Sequence, residues 1–168
     1  FNLFKKESPN HPPILLFNSA SREKEEFKTD KNTVTIYTCG PTVYDHVHIG
    51  NLSSYLLADL VKRVFLYHGY TVKHTINFTD FGHLSDDGDA GEDKMMKGMK
   101  REGYEITLDS MRNFSEQYIA SAKKDFEQMA FINPTEYTRA SDYVKEQIKL
   151  IETLEQKGYT YKTSDGVY

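Results

Sequence analysis

The sequence predicts an α/β fold in which a parallel sheet carries helices on its flanks. Residues 33–37 are β-branched or aromatic throughout, as in a buried strand. Apolar residues then recur at helical spacing, and a second β-rich run follows at residues 71–78. A strand, a helix and a strand in that order predict two parallel strands joined by a right-handed crossover.

The other elements are predicted from turn residues and periodicity. Gly40 and Pro41 are expected to end the first strand, and the helix after them is expected to begin near Asn51 or Ser53. Gly69 suits the position just past the end of that helix. Further helices are predicted at 92–101, 108–129 and 141–156, short strands at 14–18, 159–162 and 166–168, and a turn or exposed segment at 22–29.

The domain organisation predicted from these patterns has three parts. Residues 1–13 are a flexible lead-in, residues 14–158 form one domain, and residues 159–168 begin a following strand region. The chain begins with Phe1 and ends where a strand is under way, so we expect it to be cut from a longer protein.

Composition narrows the class of protein. The chain has 168 residues, of which 38% are hydrophobic and 27% charged, as in a globular domain. Its net charge of −4 gives no support to non-specific nucleic-acid binding. No apolar run approaches a membrane span and no export signal is expected. Cys39 is the single cysteine, so no internal disulfide can form and a cytoplasmic location is expected.

The turn between the first strand and the first helix has the features of a phosphate site. The carboxyl end of a parallel strand is where such sheets bind ligands, and a helix N-terminus favours anions. Gly40 and Gly50 allow close backbone approach, while His48 and Asn51 place two hydrogen-bond donors at the same point.

Each of these residues also has an ordinary structural explanation. A histidine before a helix is most often a cap, and a single cysteine is most often a small hydrophobe. Thr42 and Thr79 would serve equally to satisfy local backbone groups. The hypothesis of a binding site therefore depends on their combination with two parallel strands.

Several segments resemble one family. His48-Ile49-Gly50-Asn51 resembles the His-Ile-Gly-His signature of class I aminoacyl-tRNA synthetases, and residues 39–51 resemble their cysteine-specific branch. Segments 77–84, 91–95 and 139–141 are similar to further parts of that family. The resemblance implies the first half of a Rossmann-like class I synthetase nucleotide-binding fold. Asn51 departs from the signature, because an amide can donate a hydrogen bond but cannot titrate.

The resemblance also implies an activity and its residues. The family joins L-cysteine to ATP, which acts with Mg²⁺, and transfers the resulting cysteinyl group from its adenylate to tRNA(Cys). A monomer is the expected state. Catalysis is assigned to His48 and Asn51. ATP binding is assigned to Pro41, Thr42, Tyr44, His48, Ile49, Gly50 and Asn51. Cysteine binding is assigned to Cys39, Gly40, Thr42, Asn77 and Thr79.

By the same resemblance Cys39 is one ligand of a zinc ion that binds the thiolate of the substrate. Zinc prefers soft thiolate ligands, so it would separate cysteine from serine. The family's other ligands lie in a later segment. His46, His74 and His83 lack ligand spacing with Cys39. The acidic run at 85–93 lacks the calcium-loop spacing and is interpreted as a solvated loop.

The family's second signature, a Lys-Met-Ser-Lys-Ser loop that stabilises pyrophosphate, is absent from the sequence. We therefore expect little or no aminoacylation by this chain alone. Two alternatives remain open. One is a related ligase of mycothiol synthesis, which joins cysteine to an amino sugar, and the other is a non-catalytic nucleotide-binding fragment.

Overall fold

The computed structural model describes residues 11–81, 94–164 and 166–168. The strands, in chain order, are β1 (Leu15–Asn18), β2 (Glu23–Glu26), β3 (Thr33–Thr42), β4 (Thr71–Thr79) and β5 (Glu136–Arg139). The helices are α1 (Ile49–Tyr67), α2 (Lys94–Arg101), α3 (Leu108–Gln128) and α4 (Val144–Gln156), with a 3₁₀ turn at Ala140–Tyr143. The lead-in at 1–10, His83 and the acidic run at 85–93 lie outside the described residues.

The predicted strand–helix–strand unit is confirmed. β3 and β4 pair in parallel, from Thr33 opposite Thr71 to Cys39 opposite Asn77, and α1 connects them. β5 pairs in parallel on the other side of β4, which gives the order β3-β4-β5. The carboxyl ends of the three strands therefore lie along one edge of the sheet.

The prediction that Gly40 and Pro41 end the first strand is wrong. β3 continues to Thr42, with an irregular register between Cys39 and Thr42. Proline has no N–H for the ladder, so the regular pairing is interrupted there without ending the strand. Gly40 allows the close pairing, because a Cβ at that position would lie 2.4 Å from the carbonyl oxygen of Asn77.

The sequence analysis missed two strands. β2 lies in the segment that we expected to be a turn or exposed, and it pairs with β1 in a separate antiparallel hairpin. β5 was not predicted at all, because its four residues carry only polar and aromatic side chains next to Pro134. Both β2 and β5 form through backbone pairing with a neighbouring strand, and neither has a hydrophobic pattern from which it could be predicted.

The predicted helices are present with shifted ends. α1 begins at Ile49, before the expected start, because His48 caps it. α4 begins at Val144 after the 3₁₀ turn. The two strands predicted near the end of the chain reduce to one antiparallel bridge between Lys162 and Val167.

The hydrophobic core lies between the sheet, α2 and α3. It contains Phe78 of β4, both buried methionines of α2 and one face of α3. The buried members are Val43, Phe78, Met95, Met99, Phe114, Tyr118, Ile119, Ala122 and Phe126. Among the described helices, none has the length and apolar character needed to cross a lipid bilayer.

Candidate active site

A cleft of about 410 Å³ opens where β3 ends and α1 begins. It lies at the carboxyl edge of the parallel sheet, next to the amino end of the crossover helix, where free backbone N–H groups favour an anion. The residues that line it are Gly40, Pro41, Thr42, Tyr44, Asp45, His46, Val47, His48, Asn51, Tyr55 and Lys94.

His48 and Asn51 cap the start of α1 reciprocally. The backbone N–H of Gly50 donates to Nδ1 of His48 at 3.1 Å, and the backbone N–H of His48 donates to Oδ1 of Asn51 at 3.2 Å. Because Nδ1 accepts a hydrogen bond, the proton of a neutral His48 ring lies on Nε2. Because Oδ1 of Asn51 is used by the cap, the donor Nδ2 forms the other end of its amide. Each side chain thus combines a capping acceptor with a donor at the cleft.

Gly50 has a structural role in this arrangement. A Cβ at Gly50 would lie 2.9 Å from Cε1 and 3.0 Å from Nδ1 of His48. Glycine therefore leaves room for the imidazole to fold back over the helix start. Gly50 and Ile49, both predicted to bind ATP, do not line the cleft, and Ile49 is 79% exposed.

An ion-pair network holds the cleft wall that runs from Tyr44 to Val47. Nη1 of Arg101 lies 3.1 Å from the carboxylate of Asp45, and its Nη2 donates to the carbonyl oxygen of Tyr44 at 3.3 Å. Glu102 accepts hydrogen bonds from the hydroxyl of Tyr118 and from Arg101. The bond from Tyr118 is the main cause of a lowered pKa of Glu102. The wall is thereby attached to α2 and α3.

His46 connects the same wall to α3. Its Nδ1 lies 2.9 Å from Oγ of Ser121, and its ring contacts that of Tyr118 edge to face. The sequence analysis considered His46 as a metal ligand with weak support. The structure gives it contacts with α3 instead.

Cys39 is exposed and lies opposite Asn77 in the β3–β4 pair. Oδ1 of Asn77 accepts from Oγ1 of Thr138, and Thr79 pairs with Thr42 at the end of the same ladder.

Burial raises the pKa of Tyr55 to about 12, and the nearby Cys39 contributes to the rise. Cys39, Asn77 and Thr79, all predicted to bind cysteine, therefore lie beside the cleft in the sheet but not among its lining residues.

A zinc ion needs at least three protein ligands. Within the described residues, no group of three or more His, Cys, Asp or Glu side chains could hold a metal ion. Cys39 therefore does not form a zinc site with its described neighbours. His74, the other described histidine considered as a ligand near Cys39, is buried, and its Nε2 lies 3.0 Å from Oγ1 of Thr38.

Five lining residues were not assigned to the site from the sequence, namely Asp45, His46, Val47, Tyr55 and Lys94. Tyr55 lies two turns into α1, and its position in the apolar stripe made it look like an ordinary core residue. Lys94 is the first residue of α2 and is distant in sequence from the strand-to-helix turn. A basic residue at the start of a helix that follows an acidic segment was the available signal.

The sequence model of the family described as "tRNA synthetases class I (C) catalytic domain" matches residues 25–168. The chain therefore belongs to the class I tRNA synthetase catalytic-domain family. A solved structure supports the fold. The LeuRS of a ternary LeuRS–tRNA–LeuAMS complex from Agrobacterium radiobacter K84 has a TM-score of 0.58 and 22% identity, over 80% of this chain and 16% of that chain.

The chain is also similar to curated cysteine–tRNA ligases. Cysteine–tRNA ligase 1 of Burkholderia lata is 43% identical over 157 residues, which are 93% of this chain and 32% of that protein. The enzyme of Chlorobium chlorochromatii is 42% identical over 156 residues, or 92% of this chain and 32% of that protein. The chain thus spans about a third of the length of these relatives.

Proposed function

We propose that this chain is the ATP-binding and cysteine-binding part of a cysteine–tRNA ligase. The observation that carries the proposal is the cleft at the start of α1, where His48 and Asn51 each cap the helix and offer a donor. The relationship to cysteine–tRNA ligases over 93% of the chain supplies the choice of amino acid and acceptor.

The first step in this proposal is the adenylation of L-cysteine. A carboxylate oxygen of cysteine forms a bond to the α-phosphorus of ATP, and the bond from that phosphorus to the bridging oxygen of the β-phosphate breaks. The products are cysteinyl-adenylate and pyrophosphate. Negative charge shifts onto the phosphate oxygens as the bonds change, so Nε2–H of His48 and Nδ2–H of Asn51 would stabilise the transition state.

The remaining lining residues have binding roles in the proposal. Pro41, Thr42 and Tyr44 would contact ATP along the cleft, with Gly50 and Ile49 supporting the helix end. Gly40 and Thr42 would contact cysteine together with Asn77 and Thr79, which lie next in the sheet. Mg²⁺ would accompany ATP and neutralise part of the triphosphate charge.

Cys39 is proposed as the single ligand that this chain contributes to a zinc site. Zinc would bind the thiolate of the substrate and so distinguish it from the hydroxyl of serine. The described residues do not complete such a site. The further ligands would therefore come from other residues of the protein.

The second step would transfer the cysteinyl group to the 3′ end of tRNA(Cys). The domain limits 14–158 and 159–168, a monomeric state and a cytoplasmic location belong to the same proposal. A location in a reducing compartment agrees with a single, exposed cysteine.

Cysteine-dependent exchange of pyrophosphate into ATP tests the proposal. The full-length protein should catalyse exchange with L-cysteine and not with L-serine, and it should charge tRNA(Cys). The 168-residue chain alone should show little exchange, because it spans about a third of its relatives.

Assays of transfer to each acceptor, together with ATP binding, distinguish the alternatives. Transfer of cysteine to an amino sugar and not to tRNA would favour the mycothiol-type ligase. Absence of both exchange and ATP binding in the full-length protein would contradict the proposed function and favour a non-catalytic role.

A further inference from the structure

We propose that Lys94, the first residue of α2, binds the triphosphate of ATP from the wall of the cleft. This inference rests on the proposed function and adds a residue that neither signature segment contains. Among the described residues that line the cleft, Lys94 is the one lysine or arginine.

Packing of α2 fixes the position of Lys94. Met95 and Met99 of α2 are completely buried in the core between the sheet and α3. Gly98 lies against the cleft wall, since a Cβ there would be 3.1 Å from the carbonyl oxygen of Tyr44 and 2.9 Å from the ring of Phe114. The first residue of α2 is therefore held at the cleft by three neighbours on the same helix.

A second attachment comes from the last residue of α2. Arg101 bonds to the carboxylate of Asp45 and to the carbonyl oxygen of Tyr44, both in the cleft wall. α2 is therefore attached to the cleft wall through Arg101 as well as through Gly98.

The chemistry of the cleft favours phosphate as the group that Lys94 binds. His48 and Asn51 place hydrogen-bond donors at the helix end, which suits the oxygens of one phosphate group. A triphosphate carries several negative charges, and lysine is a compact cation that binds phosphate as a point charge. Lys94 would contact the outer phosphates, while His48 and Asn51 donate hydrogen bonds to another phosphate group.

Nucleotide binding by the full-length protein tests this role. The dissociation constants of ATP and of adenosine are measured by calorimetry, in the presence of Mg²⁺, for the wild type, Lys94→Gln and Lys94→Arg. Loss of one charge-assisted contact should weaken ATP binding by about tenfold to a hundredfold in Lys94→Gln. Adenosine binding should stay within about twofold of the wild type, and Lys94→Arg should recover most of the affinity for ATP.

Lys97→Gln is the matched control. Lys97 lies on the same helix, is exposed and does not line the cleft, so this variant should bind ATP like the wild type. It removes the same charge from the same part of the surface and therefore measures long-range electrostatics alone.

The outcomes separate this inference from the proposed function. If the wild type binds neither ATP nor adenosine, the proposed function fails and the inference fails with it. If the wild type binds ATP and Lys94→Gln binds it equally well, the inference alone is wrong. Equal losses of affinity for ATP and for adenosine in Lys94→Gln would show a structural role and would also overturn the inference.

Discussion

The side-chain amide of Asn51 uses its oxygen to cap α1 and has its nitrogen left for the cleft that it lines. Its Oδ1 accepts from the backbone of His48 and helps to start α1, whereas its Nδ2 is the donor that we propose for ATP. The sequence analysis set a capping role for His48 against a role in ligand binding. The capping bonds use only one polar atom of each side chain, so the cap does not exclude the proposed donor role.

Asn51→Asp separates the two roles. A carboxylate keeps the capping acceptor and suits the helix N-terminus, so the free energy of unfolding should be unchanged or rise by about 0.3–1 kcal/mol. The donor is lost and a negative charge faces phosphate, so ATP–pyrophosphate exchange by the full-length protein should fall by about tenfold or more. Denaturant titration and the exchange assay measure the two effects.

Ser54→Asp provides the control for charge. Ser54 is exposed on α1 and does not line the cleft, so the same added charge should leave exchange near the wild-type rate. Exchange at the wild-type rate in Asn51→Asp would contradict the assignment of Nδ2 as a donor to ATP.

α2 illustrates what the sequence predicts at the scale of an element. Its existence followed from helical periodicity, but its place beside the cleft did not. That place depends on Gly98, whose missing side chain lets α2 approach Tyr44 and Phe114. A glycine inside a predicted helix indicates close packing without indicating the partner, since contacts distant in sequence carry no local pattern.

Gly98→Ala tests this packing. The added methyl group would overlap the ring of Phe114 and crowd the cleft wall, so the substitution should destabilise the domain by about 1–3 kcal/mol. Thermal or denaturant unfolding measures the change. Lys97→Ala, one residue earlier and exposed, should leave stability within about 0.5 kcal/mol. A stabilising effect of Gly98→Ala, as expected from helix propensity alone, would show that α2 packs differently.

The middle of α1 carries a buried polar connection to the segment before β5. Oδ1 of Asp59 accepts from the backbone N–H of Ile132 at 2.7 Å, and Nζ of Lys62 donates to the carbonyl oxygen of Asn133 at 2.6 Å. Both side chains are about 5% exposed or less. The sequence showed only two charges within an apolar stripe. Nothing in it indicated that they bond to the backbone of a distant loop.

Asp59→Ala should therefore be costly. It leaves the partly buried N–H of Ile132 without its acceptor and Arg63 without its ion-pair partner, for a loss of about 1–3 kcal/mol in the free energy of unfolding. Arg63→Ala should cost less, since the arginine side chain is 47% exposed. Equal losses from the two substitutions, measured by urea titration, would assign the stabilisation to the ion pair and not to the backbone bond.

For the whole molecule, the sequence predicted the order of the main elements and the parallel pair that places the cleft. A strong β-pattern, a long amphipathic helix and a second β-pattern leave few possible topologies. β5 and the β1–β2 hairpin were not predicted, because exposed or short strands are set by backbone pairing. The three-stranded sheet became apparent only from the structure.

His74 should make the stability of the domain depend on pH. Burial lowers the pKa of His74 from its ordinary value of 6.5, and the charge of Lys62 acts in the same direction while Asp59 opposes it. The unfolded chain therefore binds a proton at a higher pH than the folded chain does. Unfolding takes up protons below about pH 6.5, and stability should fall as the solution is acidified through that range.

His74→Gln removes this dependence while keeping a polar group near Thr38. The stability lost by the substitution should be smaller near pH 5.5 than near pH 7.5, by as much as about 1 kcal/mol. Urea titrations of both proteins at the two pH values measure the difference. A loss that is the same at both values would mean that His74 does not titrate differently in the folded and unfolded chains.

The reciprocal cap at the start of α1 has a consequence for how a ligand is received. The torsions of the His48 and Asn51 side chains are already fixed by bonds to the backbone, so an arriving nucleotide does not have to immobilise two freely rotating groups. Each rotamer-rich side chain that is ordered on association costs about 0.5–1.5 kcal/mol. In the proposed function, folding has already ordered these two side chains, so binding of the nucleotide does not carry that entropic cost.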